Sequence, residues 1–181
     1  MSIAYIALGA NLPSPVGPPE ATLAAAAGRL ASIGTITARS SLYSTAPVGL
    51  TDQPRFLNAV VALDTGCGPL ELLGALLTFE QEFGRDRTTS PANGPRTLDL
   101  DILFYGDLVI SEAGLEIPHP RLAQRAFVLV PLNEIAPQHR DPRSGLTALQ
   151  LLANLLPDRE SSTPAVAPIE SALWAGDGAS G

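Results

Sequence analysis

Apolar residues recur along the chain in short blocks, separated by segments rich in glycine, proline and polar residues, and the spacing within each block predicts its secondary structure. Continuous or alternating apolar runs predict strands over residues 3–8, 35–44, 56–63 and 98–105. Apolar positions three and four residues apart predict helices over 20–33 and 70–83, with Gly34 and Gly84 as their C-terminal stops.

The second half of the chain is less regular. Gly106 and Asp107 supply a turn, which predicts a hairpin between 98–105 and 108–110. Residues 127–135 fit a short strand or a helix, and residues 148–156 fit a helix. Residues 85–95 lack periodicity, and we interpret them as a mobile loop rich in hydrogen-bond donors.

The order of these elements, β-α-β-β-α-β, predicts an α+β sandwich in which helices cover one face of a mainly antiparallel sheet. A chain of 181 residues with 45% apolar content can form a single core, so we expect one domain over residues 1–160. Residues 161–181 are mostly small, and despite Trp174 we expect a disordered tail there.

Composition excludes several classes of protein. The net charge of −7 argues against sequence-independent binding of nucleic acid. No run approaches the roughly 20 apolar residues that span a bilayer, so we expect no membrane association and a cytoplasmic location. The single cysteine, Cys67, cannot form an intramolecular disulfide and lacks partners at zinc-ligand spacing. We interpret it as a small buried residue, with a reactive thiol as the alternative.

The basic residues are all arginine, which excludes a P-loop lysine and a Schiff-base lysine. Any phosphate must therefore be held by arginine, histidine, backbone amides or metal. Five of the eleven arginines fall within residues 85–125, namely Arg85, Arg87, Arg96, Arg121 and Arg125. This local cationic zone on an acidic protein suits a polyphosphate ligand.

The strongest chemical signal lies in residues 94–102, which contain Asp99 and Asp101. In a strand these two carboxylates point to the same face, while the leucines beside them point the other way. Like charges at this spacing repel unless a cation neutralises them, and Mg²⁺ is commonly held by one or two carboxylates together with phosphates and water. The alternative is an exposed strand face whose acids are solvated or paired with Arg96.

Five motifs occur at residues 7–12, 43–49, 53–58, 94–102 and 117–120. Their sequences, order and spacing resemble those of the 6-hydroxymethyl-7,8-dihydropterin pyrophosphokinase family of folate biosynthesis, and the resemblance covers about residues 3–156. It implies a ferredoxin-like α+β fold. It also implies an enzyme that uses ATP and two Mg²⁺ ions to transfer the β,γ-pyrophosphoryl unit to the hydroxymethyl group of the pterin, releasing AMP.

The resemblance also implies a role for each matching residue. Asp99 and Asp101 would hold both magnesium ions, and Arg85 and Arg96 would lie nearest the transferred group. The rest of the nucleotide side would consist of Glu80, Arg87, Ile102, His119 and Arg125. The pterin side would consist of Thr45, Val48 and Asn58 at the edge of the ring, Phe56 and Phe127 on its two faces, and Asn11 in the shared pocket.

These implied roles agree with elementary chemistry. A flat heterocycle with several donors and acceptors suits two aromatic rings and an amide such as Asn58, which can pair with both kinds of group. Pyrophosphoryl transfer needs positioning and charge neutralisation, and no protein nucleophile. The hydroxyl proton would pass to Asp101 or to a metal-bound water, and the sequence leaves both possibilities open.

Three positions depart from the common pattern of the family. Asn93 stands where many members have a tryptophan, Pro120 replaces a frequent tyrosine, and Ala46 replaces a proline beside the pterin site. These changes bear on loop closure and on adenine packing. None of them touches the acid pair.

Two other functions fit parts of the pattern. A different Mg²⁺-dependent phosphotransferase or phosphohydrolase could use the same acid pair, although Phe56, Phe127 and Asn58 favour a heteroaromatic acceptor over water. A non-enzymatic binding module could keep the pocket without turnover. We expect a monomer that binds ATP and a pterin as small-molecule substrates, and neither nucleic acid nor membrane.

Overall fold

Six of the strands that the structure describes form one sheet, in which all paired neighbours are antiparallel. The computed structural model describes residues 1–89, 91–155 and 166–175. Its strands are β1 (Ser2–Ala10), β2 (Gly34–Arg39), β3 (Leu42–Thr45), β4 (Phe56–Thr65), β5 (Asp99–Tyr105), β6 (Ile110–Glu112), β7 (Leu115–Ile117) and β8 (Val166–Ile169). Its helices are α1 (Pro19–Leu30), α2 (Pro69–Glu82), α3 (Ala126–Ile135), α4 (Ala148–Leu155) and α5 (Ala172–Ala175), with a 3₁₀ turn at Leu122–Gln124.

The sheet follows the order β5-β1-β4-β3-β8, and β2 pairs with β4 beside β3. Strand β1, between β5 and β4, is buried over most of its length, and its successive side chains point to alternate faces of the sheet. Ile6 and Leu8 of β1 pack into a core shared with α1 and α2, whereas Ala7 packs into a second core shared with α3 and α4. Helices therefore cover both faces, and the prediction of helices on one face is wrong.

The predicted strand over 35–44 is two strands, β2 and β3, separated at Ser40. The backbone N–H of Ser40 donates to the carbonyl of Val60 at 2.9 Å, and its hydroxyl accepts from the N–H of Val60 at 2.9 Å. One residue thus fills both backbone bonds of its partner, since a serine side chain can substitute for a carbonyl. This break makes β3 a separate short strand.

The two glycines that were expected to end helices behave differently. Gly84 follows α2 in a left-handed conformation (φ 83°), as predicted. Helix α1 ends earlier, at Leu30, and Gly34 instead begins β2. A Cβ at Gly34 would lie 2.5 Å from the carbonyl oxygen of Asp64, so the glycine is needed for close strand pairing.

The predicted hairpin between 98–105 and 108–110 is also wrong. Strand β5 pairs with β1, and Gly106 turns the chain away from it with φ 51°. Residues 110–112 pair with β7 instead, through a turn at Gly114 (φ 85°). The sequence signal for this second turn is Gly114 itself, four residues after Ile110.

Helices α3 and α4 agree with the helical alternatives for 127–135 and 148–156, although residue 156 lies outside the described residues. Cys67 is half-buried at the edge of the first core, and its carbonyl accepts a hydrogen bond from the hydroxyl of Tyr105 at 2.6 Å. Within the described residues, no helix is both long and apolar enough to cross a membrane.

The C-terminal segment differs from the predicted disordered tail. Residues 166–169 form β8 and residues 172–175 form α5, with the side chain of Trp174 only 4% exposed. A strand formed by pairing with a remote edge leaves little periodicity in its own sequence, which is why composition alone missed it. The rest of the predicted tail, residues 161–165 and 176–181, lies outside the described residues.

Candidate active site

Two adjoining pockets open at one end of the sheet, on the face covered by α3. The first, of about 660 Å³, is lined by apolar, aromatic and amide side chains, including Thr45, Phe56, Asn58 and Phe127. The second, of about 870 Å³, is lined by five arginines and by His119. Both pockets share five residues, namely Asn93, Arg96, Asp99, Asp101 and Arg125. The acid pair thus lies where a neutral pocket meets a cationic one.

Small residues of β1 form part of the floor of the first pocket. Gly9 is paired with Asp99 of β5 on one side and with Asn58 of β4 on the other. Directly paired residues point to the same face, so Asp99, Gly9 and Asn58 lie in a row across the sheet. Ala7 is likewise paired with Asp101. Glycine and alanine at these positions leave room for a ligand above the floor.

Asp99 is held by two arginines from the loop before β5. Arg85 makes a short ion pair with one carboxylate oxygen, and Arg96 Nη1 donates to the other at 2.8 Å. Burial raises the pKa of the Asp99 carboxyl, but the charges of Arg85 and Arg96 outweigh burial and hold the pKa below its ordinary value. Asp99 is therefore ionised and fully compensated.

Asp101 is compensated much less. Its closest basic groups are the Arg125 guanidinium, with Nη1 at 3.7 Å, and the His119 ring, with Nε2 at 3.8 Å, both beyond hydrogen-bond distance of Oδ2. Burial, followed by the negative charge of Asp99, raises the pKa of Asp101 to about 6. The carboxylate of Asp101 consequently has oxygen atoms available to an incoming cation.

His119 follows β7 and is fixed by its own backbone. Its N–H donates to the carbonyl of Leu103 at 3.0 Å, and its ring Nδ1 accepts from the N–H of Arg121 at 3.1 Å. Burial, and then the charges of Arg125 and Arg121, lower the pKa of His119 to about 4. The ring is therefore neutral near pH 7, and its proton lies on Nε2, facing Asp101.

Glu80 of α2 is a buried carboxylate that holds Arg87 of the second pocket in place. Its side chain is 1% exposed and lines neither pocket. It accepts two hydrogen bonds from Arg87, at 2.8 and 2.9 Å, and one from the backbone N–H of Leu100 at 2.8 Å. A single carboxylate thus fixes an arginine of the loop to the strand that carries the acid pair.

The first pocket is lined by the Asn58 amide and by two phenylalanine rings. Asn58 Nδ2 donates to the hydroxyl of Thr45 at 2.7 Å, which fixes the orientation of the amide. Phe56 and Phe127 both line this pocket. Arg96 and Arg125 lie over these rings, with each guanidinium carbon 5.5 Å from a ring centroid.

Asn11 occupies a different place from the one expected, because it lines neither pocket. Its Nδ2 donates to Gln53 Oε1 and to the carbonyl of Pro54, both at 3.0 Å, and its Oδ1 accepts from the N–H of Arg96 at 2.8 Å. Gln53 in turn donates to the carbonyl of Asn93 at 3.0 Å. These two amides join the loop before β4 to the loop before β5, and no periodicity signals the role of Gln53.

Among the other predicted site residues, Val48 lines the first pocket at its rim and is half exposed. Ile102 is buried in the core on the opposite face, so only its backbone can face the site. Sequence reasoning missed Gly9 as a site residue, although a glycine inside a strand is a signal of close approach. Asn93, which was expected to bear on loop closure, lines both pockets, and Arg121 of the predicted cationic zone lines the second.

An α+β fold with paired carboxylates between a cationic pocket and an aromatic one defines a nucleotide-dependent phosphoryl-transfer enzyme with a flat heterocyclic acceptor. The family described as 7,8-dihydro-6-hydroxymethylpterin-pyrophosphokinase (HPPK) matches residues 5–137. The chain belongs to this family. The ferredoxin-like α+β class inferred from the motifs is confirmed as well.

Individual relatives agree with this assignment. The chain is 46% identical over 151 residues to the 2-amino-4-hydroxy-6-hydroxymethyldihydropteridine pyrophosphokinase of Synechocystis, covering 82% of this chain and 74% of the relative. It is 47% identical over 138 residues to the enzyme of the same name from Pseudomonas aeruginosa, covering 76% and 83%. The crystal structure of wild-type Plasmodium falciparum HPPK-DHPS superposes with a TM-score of 0.69 at 16% identity, over 88% of this chain and 45% of that longer one.

Proposed function

We propose that the protein transfers pyrophosphate from ATP to 6-hydroxymethyl-7,8-dihydropterin, giving the pterin diphosphate and AMP in tetrahydrofolate biosynthesis. The observation that carries this proposal is the position of Asp99 and Asp101, which line both pockets. A phosphate chain in the cationic pocket and a hydroxymethyl group in the aromatic pocket would meet at these two carboxylates.

The cationic pocket supplies charge for the nucleotide. Arg85 and Arg96 each donate to Asp99 through one nitrogen. Because a guanidinium has five N–H donors, each can also donate to a phosphate oxygen. Arg121 and Arg125 line the other wall, together with the neutral ring of His119. Fixed guanidiniums around a group that redistributes negative charge during transfer stabilise its transition state.

Two Mg²⁺ ions are part of the proposal, and the donor set fits them. Asp101 is incompletely compensated by Arg125, and Asp99 on the same face would exchange part of its ion pairs with Arg85 and Arg96 for a bound ion. Within the described residues, no cluster of three or more histidines, cysteines and acids is placed to hold an ion, so phosphates and water would complete its coordination. Bound Mg²⁺ would neutralise the phosphates and align the transferred group.

The aromatic pocket suits the pterin. Phe56 and Phe127 offer ring faces, and Asn58 offers one donor group and one acceptor group for the ring edge. The amide is oriented by Thr45 and cannot rotate freely. This arrangement suits a flat heterocycle, whose substituent would point towards Asp101 in the same pocket. The monomeric state and the cytoplasmic location remain parts of the proposal.

The test is to incubate the purified protein with ATP, Mg²⁺ and 6-hydroxymethyl-7,8-dihydropterin and to resolve all products by chromatography. We expect AMP and pterin diphosphate in equal amounts, and no AMP when the pterin is omitted. ADP or free phosphate as the product would indicate that the protein is a different phosphotransferase or a hydrolase. Pterin binding without any nucleotide product would indicate a binding module.

A further inference from the structure

The short strand β3 carries Thr45 into the aromatic pocket, and the end of the chain covers its outer edge. On one side Thr45 is paired with Phe56 of β4, and on the other it is paired with Val166 of β8. We call residues 166–175 the C-terminal strap. Without the strap, β3 would be an edge strand of four residues, with its outer backbone groups open to water.

Trp174 anchors the strap beneath the junction of β2 and β3. Its indole N–H donates to the carbonyl of Ser40 at 2.7 Å, within the break that separates the two strands. Arg39 donates to the carbonyl of Trp174 at 2.8 Å, and its guanidinium carbon lies 4.7 Å from the centroid of the indole ring. A buried ring with a paired N–H is a strong anchor for a short segment.

A second contact ties the strap to the first helix. The hydroxyl of Ser171 donates to the carboxylate of Glu20 in α1 and accepts from the N–H of Trp174 at 3.0 Å. The strap therefore joins α1 to the edge of the sheet that carries the aromatic pocket. None of its residues lines either pocket.

We propose that the C-terminal strap positions the pterin side of the site by holding β3 against β4, so that Thr45 keeps Asn58 oriented for the ring edge. The inference rests on the proposed function and extends it to residues that do not touch the substrate. The arginines of the second pocket, His119 and the acid pair do not lie on β3 or the strap. Loss of the strap should therefore weaken pterin binding and leave ATP binding unchanged.

Three full-length variants test the strap. Trp174→Ala removes the anchor, and Trp174→Phe keeps an aromatic ring but loses the N–H that reaches Ser40. Leu173→Ala is the matched control, because Leu173 lies on the same helix with 57% of its surface exposed. For each variant we would measure the Kd of 6-hydroxymethylpterin and of ATP by equilibrium dialysis, together with kcat and the KM of each substrate.

We expect Trp174→Ala to raise the Kd and KM of the pterin about fivefold. This is the net effect of losing one hydrogen bond, here the bond from a misaligned Asn58 to the ring edge. The Kd of ATP and kcat at saturation should change by less than about twofold, as for Leu173→Ala. The pterin Kd of Trp174→Phe should lie between those of Leu173→Ala and Trp174→Ala. If Trp174→Ala does not fold, the pterin and ATP affinities of Trp174→Phe test the role of the strap instead.

Unchanged pterin affinity in a destabilised Trp174 variant, or equal weakening of pterin and ATP, would show that the strap only stabilises the fold. Failure of the proposed reaction looks different. A wild-type protein that binds the pterin but forms no AMP would refute the reaction, while the dialysis values would still support or overturn the role of the strap.

Discussion

The proposed nucleotide side of the site is built from ion pairs, whereas the proposed pterin side is built from neutral hydrogen bonds and close packing. Arg85 and Arg96 donate charge-assisted hydrogen bonds to Asp99. Phosphates can take the place of Asp99 as acceptors, and a cation can take the place of the arginines. Asn58, Thr45 and Gly9 instead fit one another by shape. We therefore expect substitutions that change charge to act on the rate, and substitutions that change shape to act on pterin affinity.

Loss of a carboxylate should have the largest effect. Asp99→Ala or Asp101→Ala should lower kcat by about a thousandfold or more, because charge stabilisation of the transferring group is removed. The control is Asp107→Ala, in an exposed turn outside both pockets. Steady-state kinetics and circular dichroism check this, and near-normal turnover in both variants would contradict the assignment.

Arg85→Ala should come next, with a fall in kcat of about a hundredfold. If its contact with the phosphates strengthens in the transition state, the Kd of ATP should change much less than the rate. Arg140→Ala, at an exposed position away from the site, is the control. A loss confined to ATP affinity would mean that Arg85 binds the ground state only.

A substitution of Glu80 measures how much its buried ion pair with Arg87 contributes to the stability of the fold. Glu80→Gln should lower the free energy of unfolding by about 2 kcal/mol, less than a fully buried pair because Arg87 is 50% exposed. The matched control is Glu82→Gln on the same helix, whose exposed pair with Arg29 should contribute little to the free energy of unfolding. Denaturant titration measures both, and equal values would argue against a special role for Glu80.

Among substitutions of residues within or bonded to the site, Gly9→Ala should have the smallest effect, and it should act on the pterin alone. The new Cβ would lie 2.8 Å from Asn58 Oδ1, so the amide must move. We expect the KM of the pterin to rise about tenfold with little change in ATP affinity, since one amide loses its alignment. Gly74→Ala, where a Cβ meets nothing within 4 Å, should leave both unchanged. Parallel loss of ATP affinity would break the proposed separation of the two sides.

The sequence predicted the charged side better than the neutral one. Asp99 and Asp101 are two residues apart in one strand, so alternation alone places them on one face. The row of Asp99, Gly9 and Asn58 depends on the register of three strands, which no local pattern specifies.

The errors in the fold have the same origin. Ser40 breaks a strand through a contact with Val60, and Gly34 is required by the backbone of Asp64. Strand β8 forms only because the edge of β3 is available to it. In each case a remote partner decides the structure, and the local sequence carries only a weak trace of that partner.

The most direct test of the central claim, that both substrates meet at the acid pair, is phosphorus NMR of one reaction with ATP, Mg²⁺ and the pterin alcohol. We expect two mutually coupled phosphorus signals on the pterin product together with the single signal of AMP, and none of these products from Asp101→Ala in the same time. A single uncoupled phosphorus on the pterin with ADP, or inorganic phosphate alone, would contradict it.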